Sequence, residues 1–210
     1  MHDFKKVYIF GYSGHAYVLI ESMLALGYTI LGYFDKSEAK INPYNIPYCG
    51  FELDVHLKLH VQDAYVFPTV GEHIIREKLV HLFTKENLKQ FVLIDQSAQI
   101  SKTAAIGMST YIGKNAVVNA ISTLGVGVII NTNAVVEHEC EVHDFVHLAP
   151  SSTIAGNVKI GKSSFLGANS VCKQNTTIGA NCVLGAGSVV LKNIPDGETW
   201  VGNPAKKIRK

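Results

Sequence analysis

From Ile100 to Val190 an aliphatic residue stands at every sixth position with no break in register. The series runs Ile100, Ile106, Ile112, Val118, Leu124, Ile130, Val136, Val142, Leu148, Ile154, Ile160, Leu166, Cys172, Ile178, Leu184 and Val190. Only Cys172 steps outside Ile, Leu and Val. Glycine often follows, as in Ile106-Gly107, Ile160-Gly161 and Leu184-Gly185, and small residues recur four places on, among them Ala116, Ala134, Ser152 and Ser170. An α-helix repeats about every 3.6 residues and a strand every two, so neither accounts for a period of six. A sustained hexad predicts a parallel β-helix, in which each coil stacks its aliphatic side chains on the coil below. Three hexads close one coil, so residues 18 apart in this sequence are expected to stack at strand spacing, about 4.8 Å.

The first 95 or so residues follow a different grammar. Val7 to Phe10 reads as a buried strand, Gly11-Tyr12-Ser13-Gly14-His15 as a turn, and Ala16 to Leu26 as a helix stopped by Gly27. Tyr28 to Phe34 reads as a second strand ending at Asp35, Ala64 to Phe67 as a third, Glu72 to Phe83 as a helix and Phe91 to Ile94 as a last strand. Alternating β and α elements predict a small α/β domain with a Rossmann-like parallel sheet. The expected division is 1–95 for that domain, 96–194 for the β-helix and 195–210 for a C-terminal tail that leaves the hexads. The basic end of that tail, from Lys206 to Lys210, suits a phosphate or is simply solvated.

A formal charge of +2 and the lack of a long basic run argue against a nucleic-acid partner. No apolar run approaches a membrane span, and Met1 to Phe10 does not read as a signal peptide, so a soluble cytoplasmic protein is expected. The cysteines, Cys49, Cys140, Cys172 and Cys182, lack zinc spacing and read as free thiols.

Titratable residues concentrate in one stretch of the hexads, Glu137 to His147. His138, His143 and His147 all miss the inward aliphatic register and are expected on the coil surface. His138 beside Glu139 suits a general base, because a neighbouring carboxylate stabilises imidazolium. Gly156 falls one coil beyond His138, where its N–H is placed to meet an oxyanion. Ala168 and Ala186, also 18 apart, would leave a shallow groove. The three histidines point in different directions in this register, so no metal site is expected; His143 also fits a plain solvated side chain. In the first domain, the Gly11–His15 turn between strand and helix reads as a shortened phosphate-binding turn, with Asp35 closing the next strand where a nucleotide contact usually sits.

Together these motifs resemble the hexapeptide acyltransferases that modify nucleotide-linked sugars in bacterial glycan synthesis. The resemblance is nearest to the bacillosamine-pathway UDP-4-amino-sugar N-acetyltransferases, in a family with sialic acid O-acetyltransferases and GDP-perosamine N-acetyltransferase. It is carried by Val7–His15, Val70-Gly71 with Arg76, Asn131–Cys140, His147, Ala155–Gly161 and Val201–Lys206. It implies a left-handed β-helix, a homotrimer, and acetyl-CoA lying between neighbouring subunits. His138 would take the amine proton with Glu139 behind it; His147, Gly156, Ala168 and Ala186 would meet acetyl-CoA. Ser13, Gly14, His15, Asp35, Lys36 and Gly71 would form the nucleotide-sugar site. Tyr12, Lys36 and Glu72-His73 depart from the family pattern, all in that site. The expected reaction is acetyl transfer to the 4-amino group of a UDP-linked 4-amino-4,6-dideoxy sugar. Alternatives are O-acetyl transfer or a GDP-linked substrate, and, from another class, a non-catalytic β-helix binding or assembly module. His138-Glu139 beside Gly156 speaks against that last class.

Overall fold

A computed structural model describes residues 5–208; Arg209 and Lys210 of the basic tail lie outside that range. The chain divides into two units, residues 1–96 and 97–210.

In the first unit, strands β1 (Lys6–Phe10), β2 (Thr29–Phe34) and β3 (Tyr65–Pro68) form a parallel sheet in the order β2-β1-β3. Helices α1 (Gly14–Ala25), α2 (Leu57–Val61) and α3 (His73–Lys85) connect and flank them, and a short β4 (Leu93–Ile94) ends the unit. The sequence predicts all of these except α2, whose single turn is too short to show a helical period. Phe10 anchors one core, stacked on Phe34 at 4.7 Å between ring centroids and edge-on to Phe83 at 4.6 Å. Leu57, Val61, Val66 and Leu79 pack around them. Val7 and Ile9, on the opposite face of β1, are also fully buried, as expected of a sheet covered on both sides.

The second unit is a parallel β-helix of two-residue strands with three faces. The first face stacks Tyr111–Ile112, Ile129–Ile130, His147–Leu148, Phe165–Leu166 and Val183–Leu184. The second, six-stranded, runs from Gln99–Ile100 to Val189–Val190, and the third, five-stranded, from Ala105–Ile106 to Thr177–Ile178. From Ile112 to Val190 every hexad aliphatic is buried, which is the direct physical reading of the repeat. Each strand pairs with residues 18 away, as in Ile129 with His147.

The segment expected as a separate tail instead rejoins the helix. Thr199–Val201 extends the first face in parallel, with Trp200 opposite Leu184, and Lys206–Lys207 adds an antiparallel strand. Trp200 falls 16 residues after its partner, not 18, so the hexad register cannot reveal it. Its indole N–H donates to Glu198, which also pairs with Lys207.

Candidate functional site

Two corners of the β-helix carry the expected catalytic and acetyl-CoA residues other than His147, which lies on a face. His138 and Gly156 lie at the corner between the second and third faces. The His138 Nδ1 lies 3.0 Å from Glu139 Oε2. An ionised carboxylate only accepts, so Nδ1 carries the proton and Nε2 presents its lone pair. The ring lies against Gly156: a Cβ at that position would stand 2.5 Å from His138 Cε1 and 2.6 Å from Nε2. Asn157 N–H bonds the His138 carbonyl at 2.9 Å, which holds the two coils in register. The Gly156 N–H has no acceptor among the described residues. A base with an open lone pair and a backbone donor therefore meet on one exposed corner, with the His138 side chain 57% accessible.

The turn geometry sets Glu139 apart. From Ser109 to Gly187 every sixth residue adopts a positive φ, and nearly all are Asn, Ser or Gly, the types that tolerate it. Ile121, Glu139 and Phe145 are the exceptions, Glu139 at φ 61°. A longer side chain held there costs about 1–2 kcal/mol, and such strain concentrates at functional sites. In Glu139 it coincides with the carboxylate meeting His138.

Cys140, next in sequence, is fully buried; its thiol donates to the Ala155 carbonyl at 3.2 Å, supporting the turn that presents Gly156. Burial pushes its thiol up, and Cys172 is pushed up to about 12, first by burial and then by Cys140. These thiols are packing groups and poor nucleophiles. Asn119 donates to Glu137 at 3.0 Å, a pair one coil apart beside the same corner.

His147 is on the first face, not this corner. Its Nε2 lies 3.2 Å from Asn131 Nδ2, and Phe165 meets the ring edge-on at 5.1 Å between centroids. Asn131 was a motif residue without a partner in the sequence; the 16-residue offset to His147 hides the pair from an 18-residue reading. Ala168 and Ala186 lie at the corner between the first and second faces, so one chain does not bring them to His138. His143 is exposed on the third corner. Among the described residues no three His, Cys, Asp or Glu gather as a metal-binding group, and no helix is long and apolar enough to cross a membrane.

In the first unit the expected nucleotide residues gather at the carboxyl ends of the strands. Order β2-β1-β3 makes the gap between β1 and β3 a topological switch point, where open α/β sheets bind ligands. Thr69, just after β3, has its hydroxyl between two carbonyls, donating to Gly11 at 2.5 Å with Phe10 also in reach at 3.0 Å. Arg76, buried, reaches back from α3 to the carbonyls of Gly71 at 2.7 Å and Val70 at 3.2 Å. Burial lowers Arg76 to about 10, opposed by the charge of Glu72, so it stays cationic at neutral pH. Glu72 caps α3, accepting from the N–H groups of Ile74 and Ile75.

Asp35 accepts from the Tyr12 N–H at 2.9 Å and the Lys36 N–H at 2.7 Å. Its carboxylate thus shapes the Gly11–His15 turn; Lys36 itself is exposed. The steric demand in that turn falls on Gly11, not Gly14. Gly11 has φ +97° and an added Cβ would overlap Val70, whereas nothing lies within 4 Å of one at Gly14. Ser13 stands at the α1 N-cap with no side-chain capping bond, and Ser13 and Gly14 are both exposed. His15 is pushed down to about 4 by burial and then by the charge of Arg76.

With this geometry in view, the sequence and fold point to one family. Residues 6–83 match the PglD N-terminal domain and 157–192 the hexapeptide repeat of succinyl-transferase. The acetyltransferase domain of PglB from Neisseria gonorrhoeae, solved with acetyl coenzyme A, is 34% identical over 98% of this chain and 100% of that one, with a TM-score of 0.91. PerB from Caulobacter crescentus, solved with CoA and GDP-perosamine, is 33% identical over 97% of both chains, again at 0.91. WeeI from Acinetobacter baumannii shares the fold at 23% identity, over 96% of this chain and 99% of that one, with a TM-score of 0.87. The chain belongs to the sugar-nucleotide N-acetyltransferases, built from a PglD-type N-terminal domain and a hexapeptide-repeat β-helix.

Proposed function

We propose that this chain transfers acetyl from acetyl-CoA to the 4-amino group of a UDP-linked 4-amino-4,6-dideoxy sugar. The observation that carries the reading is His138, with Nδ1 held by Glu139 and Nε2 open beside the Gly156 N–H. The sugar amine attacks the thioester carbonyl, forming the C–N bond as its proton passes to Nε2. The Gly156 N–H faces the developing oxyanion. Collapse breaks the C–S bond, and the departing CoA thiolate takes the proton from the imidazolium. Atoms and charge balance without an acyl-enzyme.

The remaining assignments complete the reading. His147, Ala168 and Ala186 contact acetyl-CoA. Since Ala168 and Ala186 lie at a different corner from His138, one ligand touching both sets needs a second copy, which supports sites between subunits; the number three is what the family resemblance implies. Ser13, Gly14, His15, Asp35, Lys36 and Gly71 bind the nucleotide sugar, the open α1 N-terminus receiving its phosphates. The setting is the cytoplasm, where acetyl-CoA and nucleotide sugars are found.

A GDP-linked substrate is the second reading, favoured by the similarity to PerB, whose structure contains GDP-perosamine. Thiol release from acetyl-CoA, measured with UDP- and GDP-linked 4-amino sugars side by side, decides between them. Turnover of the UDP substrate alone supports the proposal; turnover of the GDP substrate alone replaces it with the second reading.

A further inference from the structure

Beyond Gly156 the corner that presents His138 continues through two more coils. His138, Gly156 and Gln174 form one column, tied in order by Asn157 N–H to the His138 carbonyl at 2.9 Å and Asn175 N–H to the Gly156 carbonyl at 3.1 Å. The His138 ring leans along this column, toward Gly156. The last turn breaks the pattern. Val190 still pairs with Cys172 at an offset of 18, but Ile194 bridges Ile178 at 16, so this turn is two residues short. Asn193 gives its Oδ1 to the Thr177 N–H at 2.9 Å and leaves the side-chain ladder that joins Asn157 to Asn175. Between the shortened turn and the one before it lies a cavity of about 570 Å³, with Lys173, Gln174, Asn175 and Lys192 in its wall. Charge is sorted along this corner. Glu137 and Glu139 flank His138 at one end, Lys173 and Lys192 stand at the other, and Ala155 to Val158 in between carry no charge. No acidic residue lines the cavity. Lys159 and Lys207 are paired, with Glu141 at 2.8 Å and Glu198 at 2.6 Å, whereas Lys173 and Lys192 have no carboxylate partner among the described residues. Lys192 lies over Trp200, its Nζ 5.2 Å from the ring centroid, a contact that uses no hydrogen-bond acceptor.

We propose that Lys173 and Lys192 bind the diphosphate of acetyl-CoA. The inference rests on the reading that the thioester sits at His138 and Gly156. From His138 the cavity lies two to three coil spacings on, about 10–14 Å. The pantetheine arm between sulfur and diphosphate spans about 15 Å when extended, from ordinary bond lengths. A thioester held at His138 with its arm along the column therefore delivers the diphosphate to the cavity, where both lysines line the wall. Ala168 and Ala186 also lie on coils after His138, so the arm takes the same direction along both copies that form the site. The sorted charge then separates the two substrates: the basic end holds the anionic carrier, and the acidic end receives the amine.

The test measures equilibrium binding by calorimetry for the full-length wild type and two double variants, Lys173→Met with Lys192→Met, and Lys173→Arg with Lys192→Arg. Methionine keeps an apolar stem over Trp200 while removing the charge. The ligands are CoA, 3′-dephospho-CoA and pantetheine. Two exposed charge contacts together are worth about tenfold in affinity. The Met variant should therefore bind CoA and 3′-dephospho-CoA about tenfold more weakly, and pantetheine as the wild type does. The Arg variant should bind CoA like the wild type, because guanidinium also pairs with phosphate. In turnover the Met variant should raise the KM for acetyl-CoA, with little change in kcat at saturation or in the KM for the sugar nucleotide. Wild-type affinity of the Met variant for CoA overturns the inference. So does a loss seen with CoA but not with 3′-dephospho-CoA, which would put the lysines on the 3′-phosphate. A fall in oligomeric mass by light scattering also overturns it, by making the lysines contacts between copies. A fully active His138→Ala protein would remove the thioester reading and this inference with it; unaltered CoA binding by the Met variant of an enzyme that needs His138 refutes the lysines alone.

Discussion

The imidazole of His138 rests on Gly156 so closely that a single added methyl at Gly156 would stand 2.5 Å from its Cε1. The two residues are 18 apart, one full coil, and the contact is possible only because position 156 lacks a side chain. The ring is thus pinned between that backbone and the Glu139 carboxylate at 3.0 Å. Gly156→Ala should force the ring out of this position. We expect kcat to fall at least tenfold while the melting temperature moves little, because the position lies at a corner with His138 exposed. Steady-state kinetics beside a melting curve checks this; wild-type kcat would show that the ring placement does not matter.

His138→Ala should lower turnover by about two to four orders of magnitude, the range for loss of a general base. Cys140→Ser should keep most activity, since a hydroxyl can still donate to the Ala155 carbonyl that the thiol now serves. The same thiol-release assay reads both variants. A fully active His138→Ala protein would sink the proposed mechanism.

Asp35→Ala removes the acceptor for the Tyr12 and Lys36 N–H groups and should loosen the Gly11–His15 turn. The KM for the sugar nucleotide should rise while that for acetyl-CoA stays nearly constant. Gly14→Val probes the same site without that structural cost, because open space surrounds the position where its Cβ would go. A rise in sugar-nucleotide KM there, with unchanged melting, reports ligand approach and not folding. If both variants instead weaken acetyl-CoA, the two sites are assigned the wrong way round.

The protein should lose stability in acid through His15. In the unfolded chain this histidine titrates near its ordinary 6.5, whereas in the fold burial and then Arg76 push it down to about 4. Between those values the unfolded chain binds more protons, so stability rises with pH. The contribution is complete above about 6.5 and is lost as pH falls from there toward 4. Denaturant unfolding of wild type and His15→Gln across pH 4–7 measures it; the variant should show the shallower slope. Parallel curves would refute the assignment.

Activity should survive dialysis against a strong chelator, since His138, His143 and His147 lie apart on the β-helix. Loss of turnover that zinc restores would overturn this expectation.

The β-helix was legible because its physics is local and repetitive. Each hexad aliphatic packs on its equivalents one coil away, so a constant register displays both the core and the stacking of Gly156 on His138. The same register holds the left-handed turn position, whose departures at Ile121, Glu139 and Phe145 can be read once the turn conformation is known. Tertiary structure alone decided what breaks the register. Asn131 meets His147, and Trp200 meets Leu184, at offsets of 16, and neither pair announces itself in a period of 18. In the small unit the strand spans were visible, but the order β2-β1-β3 was not. That order brings Gly11 against Val70, and with them the lock of Arg76 on Val70 and Gly71. Local propensity sets where a strand begins and ends; which strands become neighbours depends on how distant apolar faces are buried together, and the nucleotide crevice exists only after that choice.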